Sequence, residues 1–148
     1  MTVAYLPVGF DVPPYLPHER GFELACRERR LCIQRCLHCH RFRHPPQPRC
    51  AHCRSDRSEW AEVSGDGEVY TWTVVRHAVN PALRDSVPYN VVVVLLDGTD
   101  GVRLVSNLID APPEALRIGL RVTLTWERRG DVDLPCFRVA SHPGTEHE

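Results

Sequence analysis

The sequence predicts a mainly β protein in which a helix and a small cysteine-bearing module precede a five-stranded barrel. Two observations support this prediction: four cysteines stand as two C-x2-C pairs, and a period-two alternation of apolar residues begins after Gly65. The chain has 148 residues, of which 43% are hydrophobic and 25% charged, a composition typical of a globular protein with a buried core. We therefore expect one main domain with a small module attached to it.

The paired cysteines are Cys36, Cys39, Cys50 and Cys53, and their spacing predicts a metal site. Each C-x2-C turn places two sulfurs on one side of a tight loop, and two such loops can surround a tetrahedral zinc ion at Zn–S distances of about 2.3 Å. The intervening residues 40–49 are too few to form a core, so metal binding would supply their folding energy. Four sulfur ligands leave no open position for substrate, which predicts one structural zinc ion per chain. Iron can bind the same spacing, and free or disulfide-bonded thiols are the other alternative.

Other potential ligands lie close to this quartet in the sequence. We expect Cys26 and Cys32 to be packing residues because their spacing to the quartet is irregular, and Cys136 has no partnered base that would make it a nucleophile. A nearby histidine could replace one cysteine, but the cysteine set is already complete, so we expect surface histidines. They are His38, His40, His44 and His52.

The charge of the chain is unevenly distributed. Its net charge is −1, yet residues 20–57 contain ten arginines against three acidic residues, and the rest of the chain is correspondingly acidic. Part of the positive charge can screen the four thiolates, which leave a net charge of about −2 around a zinc ion. The same guanidinium groups can bind phosphate or an acidic partner. The candidates for this docking role are Arg35, Arg41, Arg43 and Arg49.

The residues around the cysteine pairs are predicted to contain one helix and short strands. Prolines keep residues 1–17 extended, and His18–Arg30 can then form a helix. Leu31–Arg35 alternates as a short strand before the first pair, and residues 55–62 lead out of the second. We place this module at residues 18–62. The side chains expected on one face of the helix are Phe22, Ala25, Cys26 and Arg29.

Five segments after residue 62 have the pattern of β-strands. They are residues 69–75, 89–96, 102–108, 121–127 and 134–140. The second, YNVVVVLL, is an apolar run typical of a strand buried on both faces. Between the third and fourth, residues 111–114 open a short helical turn for which Gly119 can serve as the C-cap. This element order is that of an OB-fold barrel, which we place at residues 63–140, followed by a flexible tail at 141–148.

The barrel segments carry aromatic residues but no motif of an active site. We expect Tyr70, Trp72, Trp126 and Phe137 to fill the barrel or cover its ends. No nucleophile elbow, phosphate-binding glycine loop, dinucleotide fingerprint or HExxH motif occurs, so we expect no catalytic residues. The first ten residues lack the features of a secretion signal, and no stretch approaches the ~20 apolar residues of a membrane span, so we place the protein in the cytoplasm.

The cysteine module and the barrel segments together resemble the DUF35 family of rubredoxin-like zinc ribbon plus OB-fold proteins. The resemblance covers nearly the whole chain and rests on the stretches LCIQRCLHC (31–39), PPQPRCAHC (45–53), SGDGEVYTWTVV (64–75), VPYNVVVVLLDG (87–98), VRLVSNLI (102–109), IGLRVTLTWE (118–127) and LPCFRVA (134–140). It implies that the four paired cysteines are the metal ligands. This chain departs from the common Cys-Gly pattern, because His40 and Arg54 follow the second cysteine of each pair. A residue other than glycine costs about 1–2 kcal/mol in a left-handed conformation.

Members of this family are usually non-catalytic partners of thiolase-like enzymes. The resemblance therefore implies an accessory subunit that binds a thiolase-fold catalytic subunit in a hetero-oligomer. It would support carbon-carbon bond cleavage or formation on acyl-CoA, as in benzoylsuccinyl-CoA thiolysis or steroid side-chain aldol cleavage. An acetyltransferase complex of the phloroglucinol type is the alternative within the family. The four docking arginines could then contact the phosphates of CoA or the partner subunit.

Two other functions compete with this interpretation. Zinc ribbons and OB barrels also bind nucleic acids, but single-strand binding uses exposed aromatic residues over a basic groove, and the predicted second and third strands offer aliphatic residues instead. We therefore expect nucleic-acid binding to be the weaker hypothesis. Electron transfer by a rubredoxin-type iron centre is the second competitor, because the cysteine spacing alone does not exclude it.

Overall fold

The computed structural model describes residues 7, 10, 13–129 and 131–141, and these residues form a short helix and two β-sheets. The helix is α1 (Arg20–Arg27), and the strands are β1 (Cys32–Cys36), β2 (Phe42–Arg43), β3 (Ser58–Glu62), β4 (Gly67–Val75), β5 (Tyr89–Leu96), β6 (Arg103–Ser106), β7 (Arg121–Arg129) and β8 (Val132–Val139). Most of the predicted extended segment at residues 1–12, and the predicted flexible tail from residue 142 onward, lie outside the described residues. Across the described ranges, no helix has the length and apolar character needed to cross a membrane.

Helix α1 is shorter than the predicted helix His18–Arg30. It ends in a Schellman motif, in which the Arg30 N–H donates to the Ala25 carbonyl at 2.9 Å. The Arg29 N–H closes the same motif by donating to the Cys26 carbonyl at 2.9 Å. Arg29 has φ +55° at the left-handed position of this motif, so the prediction that it continues the helical face was wrong. The buried side chains of the helix are, as predicted, Phe22, Ala25 and Cys26.

The turn at Arg29 sends its side chain toward the barrel. Arg29 Nε lies 3.4 Å from Oδ1 of Asp133, in β8, whose side chain is only 3% exposed. Nη2 of Arg128 lies 3.7 Å from the other carboxylate oxygen. A carboxylate removed from water is strongly destabilising unless it is paired. The contact therefore links the end of the helix to the β7–β8 hairpin.

Strand β1 is the centre of a three-stranded antiparallel sheet with the order β2-β1-β3. It lies within one residue of the predicted strand, whereas the two-residue strand β2 was not predicted. Gln34 joins both neighbours, because its Oε1 accepts from Arg43 Nε and from the Gln47 N–H, each at 2.8 Å. Its Nε2 donates to Ser58 Oγ at 3.1 Å. Gln34 is only 5% exposed, so these bonds satisfy a buried amide.

The second sheet has five strands in the order β6-β5-β4-β7-β8, with antiparallel neighbours throughout. It is nearly closed, because Leu108, just after β6, forms a parallel bridge with Phe137 of β8. The Ile109 N–H donates to the Phe137 carbonyl at 2.8 Å, and the Phe137 N–H donates to the Asn107 carbonyl at 3.0 Å. The structure thus confirms the predicted fold class, a helix and four-cysteine module followed by a five-stranded barrel.

Strand β5 has the predicted boundaries but alternates in burial. Val92, Val94 and Leu96 point into the barrel and are at most 3% exposed. The outward side chains are half-buried, and they are Val91, Val93 and Leu95. The prediction that this strand is buried on both faces was therefore wrong, because the outer face of the sheet is only partly covered by other elements.

A β-bulge in β4 determines which aromatic residues face the core. The pairing of β4 with β5 shifts between Val69 and Thr71, so Tyr70 occupies the bulge. Phe137 is fully buried and Trp126 packs against the core, as predicted. Tyr70 and Trp72 are 44% and 39% exposed, so neither fills the interior of the barrel; that they cover its ends stays a prediction.

The helical turn after β6 is shorter than the sequence predicts. It is a single 3₁₀ turn at Pro113–Ala115, so Gly119 does not cap it. Gly119 has φ +82°, and its N–H donates to the Val69 carbonyl at 2.8 Å. This glycine therefore forms a separate turn that joins the chain to β4 before β7 begins.

The helix, the ribbon sheet and the barrel share one hydrophobic core. Phe22, Leu31 and Ile33 belong to the same cluster as the barrel residues around Phe137, and none of the three is more than 7% exposed. Burial of a large apolar side chain contributes about 1.5–3 kcal/mol. These contacts therefore hold the ribbon against the barrel.

We expect Asn90→Asp to lower the free energy of unfolding by about 1–3 kcal/mol. The Asn90 amide in β5 donates to the Leu108 carbonyl and accepts from the Leu108 N–H, both at 2.7 Å, and a carboxylate cannot replace the donor. Asn80→Asp is the matched control, because Asn80 Oδ1 only accepts, from the Ala82 N–H at 3.0 Å. Urea denaturation at neutral pH measures both variants, and equal losses would contradict the assignment.

Candidate metal centre and basic surface

The structure brings the four predicted ligands together. The Sγ atoms of Cys36, Cys39, Cys50 and Cys53 all lie within 4.8 Å of one another. The Cys36–Cys53 and Cys39–Cys50 sulfur separations are 3.5 and 3.6 Å. A tetrahedral ion with metal–sulfur bonds of about 2.3 Å requires sulfur separations of about 3.8 Å, whereas a disulfide requires about 2.05 Å. The sulfurs are therefore placed around a metal position and not for disulfide bonds.

Two equivalent loops position these sulfurs. In the first loop, the His40 N–H donates to the Cys36 carbonyl at 3.0 Å, and in the second the Arg54 N–H donates to the Cys50 carbonyl at 2.8 Å. A further hydrogen bond closes each loop: the Cys36 N–H donates to the Arg41 carbonyl, and the Cys50 N–H donates to the Ser55 carbonyl, both at 2.9 Å. The same local geometry thus presents two sulfurs from each side of the site.

Backbone N–H groups of the loops favour the thiolate form. The Cys39 N–H lies 3.5 Å from the Cys36 sulfur and is the main cause that lowers the pKa of Cys36 to about 6. The Cys53 N–H is the main cause that lowers the pKa of Cys50. The thiolate is the form that binds metal, so the backbone prepares the first cysteine of each loop for ligation.

His40 and Arg54 adopt the left-handed conformation that glycine usually occupies, with φ +62° and +66°. Each costs about 1–2 kcal/mol relative to glycine. The loop hydrogen bonds form nevertheless, so the departure from the Cys-Gly pattern leaves the loop geometry intact. The strain is offset by those bonds and, we expect, by the metal.

The remaining cysteines are buried away from the site. Cys26 and Cys32 are each 3% exposed and Cys136 is 2% exposed. Burial raises the pKa of Cys26 and of Cys136 to about 12. The Cys136 sulfur lies 3.8 Å from a Glu127 carboxylate oxygen, which also disfavours a thiolate. These environments agree with the predicted packing roles.

Three of the four histidines near the cysteines are exposed, as expected for surface residues: His38, His40 and His52. His44 differs from them, because its ring centre lies 5.3 Å from that of Phe22 in α1. Burial lowers the pKa of His44, which keeps the imidazole neutral near physiological pH. The expectation of a surface histidine was wrong for His44, which belongs to the contact between ribbon and helix.

Two of the four arginines predicted as docking candidates make contacts within the ribbon. Arg35 Nε donates to the Glu59 carboxylate at 2.7 Å, and its guanidinium lies 5.5 Å from the centre of the Phe42 ring. Arg43 Nε donates to the Gln34 side chain at 2.8 Å. Both side chains therefore contribute to the pairing of the three ribbon strands.

The other two candidates, Arg41 and Arg49, are exposed. Within the part of the chain that the structure describes, their side chains have no ion pair or hydrogen bond. Their charge is therefore available to a ligand or a partner, whereas Arg35 is paired with Glu59 and two of the three nitrogens of the Arg43 guanidinium are hydrogen-bonded to neutral groups.

Two family profiles match adjoining parts of the chain. Residues 25–59 match the rubredoxin-like zinc ribbon domain of ChsH2, and residues 60–127 match the C-terminal OB-fold domain of ChsH2. The chain belongs to the ChsH2/DUF35 family. Membership assigns the four-cysteine cluster to a zinc ribbon and the five-stranded sheet to an OB-fold, as the sequence predicted.

Relatives within the family agree in sequence and in structure. A "Probable enoyl-CoA hydratase alpha subunit" of Thermomonospora curvata is 44% identical over 117 residues, which cover 78% of this chain but only 35% of that protein. This chain thus spans about a third of the length of that relative. A "DUF35 domain-containing scaffold protein" of Methanocaldococcus jannaschii is 31% identical over 103 residues, or 67% of this chain and 70% of that protein. A solved chain of the "Ltp2-ChsH2(DUF35) aldolase" has a TM-score of 0.79 and 39% identity, covering 88% of this chain and all of that chain.

Replacing one ligand should abolish metal binding. We expect wild-type protein to contain about one equivalent of zinc and Cys36→Ser to contain almost none, because three sulfurs leave the tetrahedral site incomplete. Cys32→Ala is the matched control, since Cys32 is equally buried but lies outside the cluster. Metal analysis by mass spectrometry measures both. Equal zinc contents for the two variants would exclude the quartet as the site.

Glycine at the left-handed position of a cysteine loop should stabilise the ribbon. We expect Arg54→Gly to raise the free energy of unfolding of the zinc-loaded protein by about 1 kcal/mol, because the backbone strain is relieved. Arg57→Gly is the control, because this exposed residue has no left-handed backbone to relieve, and glycine there only increases the entropy of the unfolded chain. Thermal denaturation should show changes of opposite sign.

Proposed function

We propose that this chain is a zinc-binding accessory subunit that acts in the cytoplasm with a thiolase-fold catalytic subunit. Together they would cleave or form carbon-carbon bonds on acyl-CoA thioesters. The observation that carries this proposal is the solved relative named Ltp2-ChsH2(DUF35) aldolase, which this chain matches over the whole of that relative's length at 39% identity. The scaffold protein of Methanocaldococcus jannaschii supports the same role, because its name describes assembly and not catalysis.

The proposed zinc ion is structural. Cys36, Cys39, Cys50 and Cys53 would hold it, and a bound zinc would link the two loops without an open position for substrate. The two cysteine loops then hold the ribbon strands in place, and the shared core holds the ribbon against the barrel. In this arrangement the chain supplies a rigid binding surface.

Outside the four proposed zinc ligands, the buried cysteines Cys26 and Cys136 are poorly suited to act as nucleophiles. With pKa values of about 12, the thiols of Cys26 and Cys136 remain protonated at neutral pH. Glu127, next to Cys136, is 8% exposed and paired with Arg129 at 2.6 Å. We therefore assign the nucleophile and the acid/base groups to the catalytic subunit.

The names of the relatives favour a retro-aldol reaction over thiolysis. A hydratase adds water to an enoyl-CoA and gives a 3-hydroxyacyl-CoA, which is the form of substrate that retro-aldol cleavage requires. One relative carries the name of an enoyl-CoA hydratase subunit and another that of an aldolase. We therefore propose a 3-hydroxyacyl-CoA as the substrate class of the complex. An acetyltransferase complex of the phloroglucinol type is the alternative within the family.

Coexpression with a thiolase-fold subunit from the same organism tests the proposal. We expect the two chains to copurify as a hetero-oligomer and to cleave a 3-hydroxyacyl-CoA, whereas this chain alone should be inactive. Size-exclusion chromatography with light scattering measures assembly, and a coupled assay of the released acyl-CoA measures cleavage. Turnover by the isolated chain, or the absence of a complex, would contradict the proposal.

Arg41 and Arg49 are the basic residues that we propose for contact with CoA phosphates. Replacing both by alanine should raise the Kd of the complex for acyl-CoA about 10- to 100-fold, which corresponds to about 1.4–2.8 kcal/mol for the loss of two exposed charged contacts. The denaturation temperature should stay unchanged, because neither side chain has a partner among the described residues. Arg117→Ala, an exposed arginine of the barrel, is the control. Unchanged binding would leave these arginines only the role of screening the metal site.

A further inference from the structure

The ribbon and the barrel meet along an open groove, called here the junction groove. It consists of two adjoining depressions of about 300 and 290 Å³, and His44 lines both of them. Tyr15 and Phe22 line it on the side of the helix and ribbon together with His44, and Val91 and Val105 line it on the side of the barrel. The groove therefore combines an aromatic wall with an aliphatic floor.

The floor of the junction groove continues along the outer face of the barrel sheet. Val105 of β6 pairs in register with Val93 of β5, and Val93 pairs with Thr71 of β4. Partners in register point to the same side of a sheet, so these three side chains share the outer face. Val105 is 67% exposed although it lies within a strand. Val105 adjoins the half-buried Val93 across the strand pair, and Val91 lines the same groove, so the exposed apolar surface here is contiguous. A contiguous apolar patch, unlike a single exposed side chain, is typical of a surface that a partner covers.

One end of the junction groove carries two guanidinium groups. Arg103 lies two residues before Val105 and so shares its face, and its guanidinium lies 4.1 Å from the centre of the Tyr70 ring. Arg43, from strand β2 of the ribbon, lines the same end. The Nε and Nη2 atoms of Arg43 are hydrogen-bonded, but its Nη1 is buried and has no partner among the described residues.

Some buried polar atoms at this end of the groove have no hydrogen-bond partner among the described residues. His44 Nδ1 is a second buried polar atom that has no partner in the described part of the chain. Each such atom costs about 1–3 kcal/mol when it stays unpaired. The carboxylate among the lining residues, Asp100, is exposed and forms no ion pair with Arg43 or Arg103 within the described ranges. An acceptor supplied from outside the chain would satisfy this end of the groove.

We propose that the junction groove is the docking site for a segment of the catalytic subunit that presents a large apolar side chain next to a carboxylate. The apolar side chain covers Val105 and contacts the rings of Tyr15 and Phe22. The carboxylate accepts hydrogen bonds from Arg43 and Arg103. This inference rests on the proposed function, and it assigns the surface by which the accessory subunit binds its partner.

The shape and composition of the groove favour a protein segment over a small molecule. Small-molecule sites are concave and enclose most of their ligand, whereas this groove is open and its floor residue Val105 is 67% exposed. Tyrosine and arginine beside apolar residues are typical of the residues that dominate the energy of protein interfaces. Arg41 and Arg49 do not line the groove. The docking site and the proposed CoA-binding arginines can therefore be tested separately.

The test uses isothermal titration calorimetry to measure the Kd between this chain, loaded with zinc, and the thiolase-fold subunit with which it copurifies. Val105→Glu should weaken binding at least about 100-fold, because it places a carboxylate where the apolar side chain of the partner packs and supplies Arg103 with an acceptor from within the chain. Val79→Glu is the matched control, since Val79 is 88% exposed and does not line the groove. It should change the Kd less than about twofold.

A second pair of variants tests the charged end. Arg103→Glu should weaken binding about 10- to 100-fold and reduce its dependence on salt, because a repulsive contact replaces an attractive one. Arg117→Glu makes the same change of charge outside the groove and should have little effect. Zinc content and denaturation temperature, measured for every variant, must match wild type, so that loss of binding is not loss of folding.

The outcomes separate the two proposals. If the wild-type chain forms no complex, the proposed function fails and the docking site fails with it. If wild type binds but Val105→Glu binds equally well, the docking site alone is wrong. If Val105→Glu leaves the complex intact and instead abolishes binding of acyl-CoA to the isolated chain, the groove is a ligand site and the inference is overturned.

Discussion

Mutual repulsion of four thiolates is the constraint on which the first half of the structure depends. Sulfurs held within 4.8 Å of one another are stable as anions only when a cation lies between them. Without that cation, the two cysteine loops would retain left-handed strain at His40 and Arg54 and would lose their cross-link. The backbone N–H groups that lower the pKa of Cys36 offset only part of the charge. A metal at this position would therefore supply a cross-link between the two cysteine loops that the backbone alone does not provide.

The ribbon that holds the metal position is also joined to the barrel. Leu31, just before strand β1, and Ile33, within it, lie in the same core as Phe137 of the barrel. The ion pair of Arg29 with Asp133 adds a second link at the end of the helix. The relative position of the two sheets is therefore set by buried contacts on one side and by a charged contact on the other. A groove between two such fixed elements keeps its shape before a partner arrives, which reduces the entropy lost on binding.

Periodic features of the sequence predicted the fold well, and features that depend on neighbouring elements were missed. The cysteine spacing and the alternating segments predicted the metal cluster and all five barrel strands. Arg29 was predicted to lie in the helix because the helical periodicity continues to that position. The helix instead ends in a Schellman motif, whose left-handed residue is usually glycine, so an arginine gave no signal of it. The role of Gln34 was missed as well. A polar residue within CIQRC indicates only that something pairs with it, and the partners, Arg43, Gln47 and Ser58, come from other segments.

The sequence also did not predict which of the four candidate docking arginines make contacts within the ribbon and which remain exposed. Arg35 and Arg41 look alike in the sequence, but only Arg35 faces a carboxylate across a strand pair, at Glu59. Strand β2, which carries Arg43, has two residues and gives no periodic signal. Long-range pairing, not local pattern, separates the arginines that build the ribbon from those that remain available.

The single extra residue in β4 has a consequence for the whole sheet. Strict alternation from Val69 would turn Thr71 and Thr73 inward and Trp72 outward, whereas the bulge places Trp72 opposite buried Val92. One inserted position therefore reverses the orientation of the second half of the strand and leaves Tyr70 outside. Deleting Tyr70 would restore regular pairing and leave Thr71 and Thr73 outward, because their partners Val93 and Val91 would stay the same. It would, however, remove the aromatic ring on which Arg103 rests, so the inserted residue contributes a ring to the outer face of the barrel.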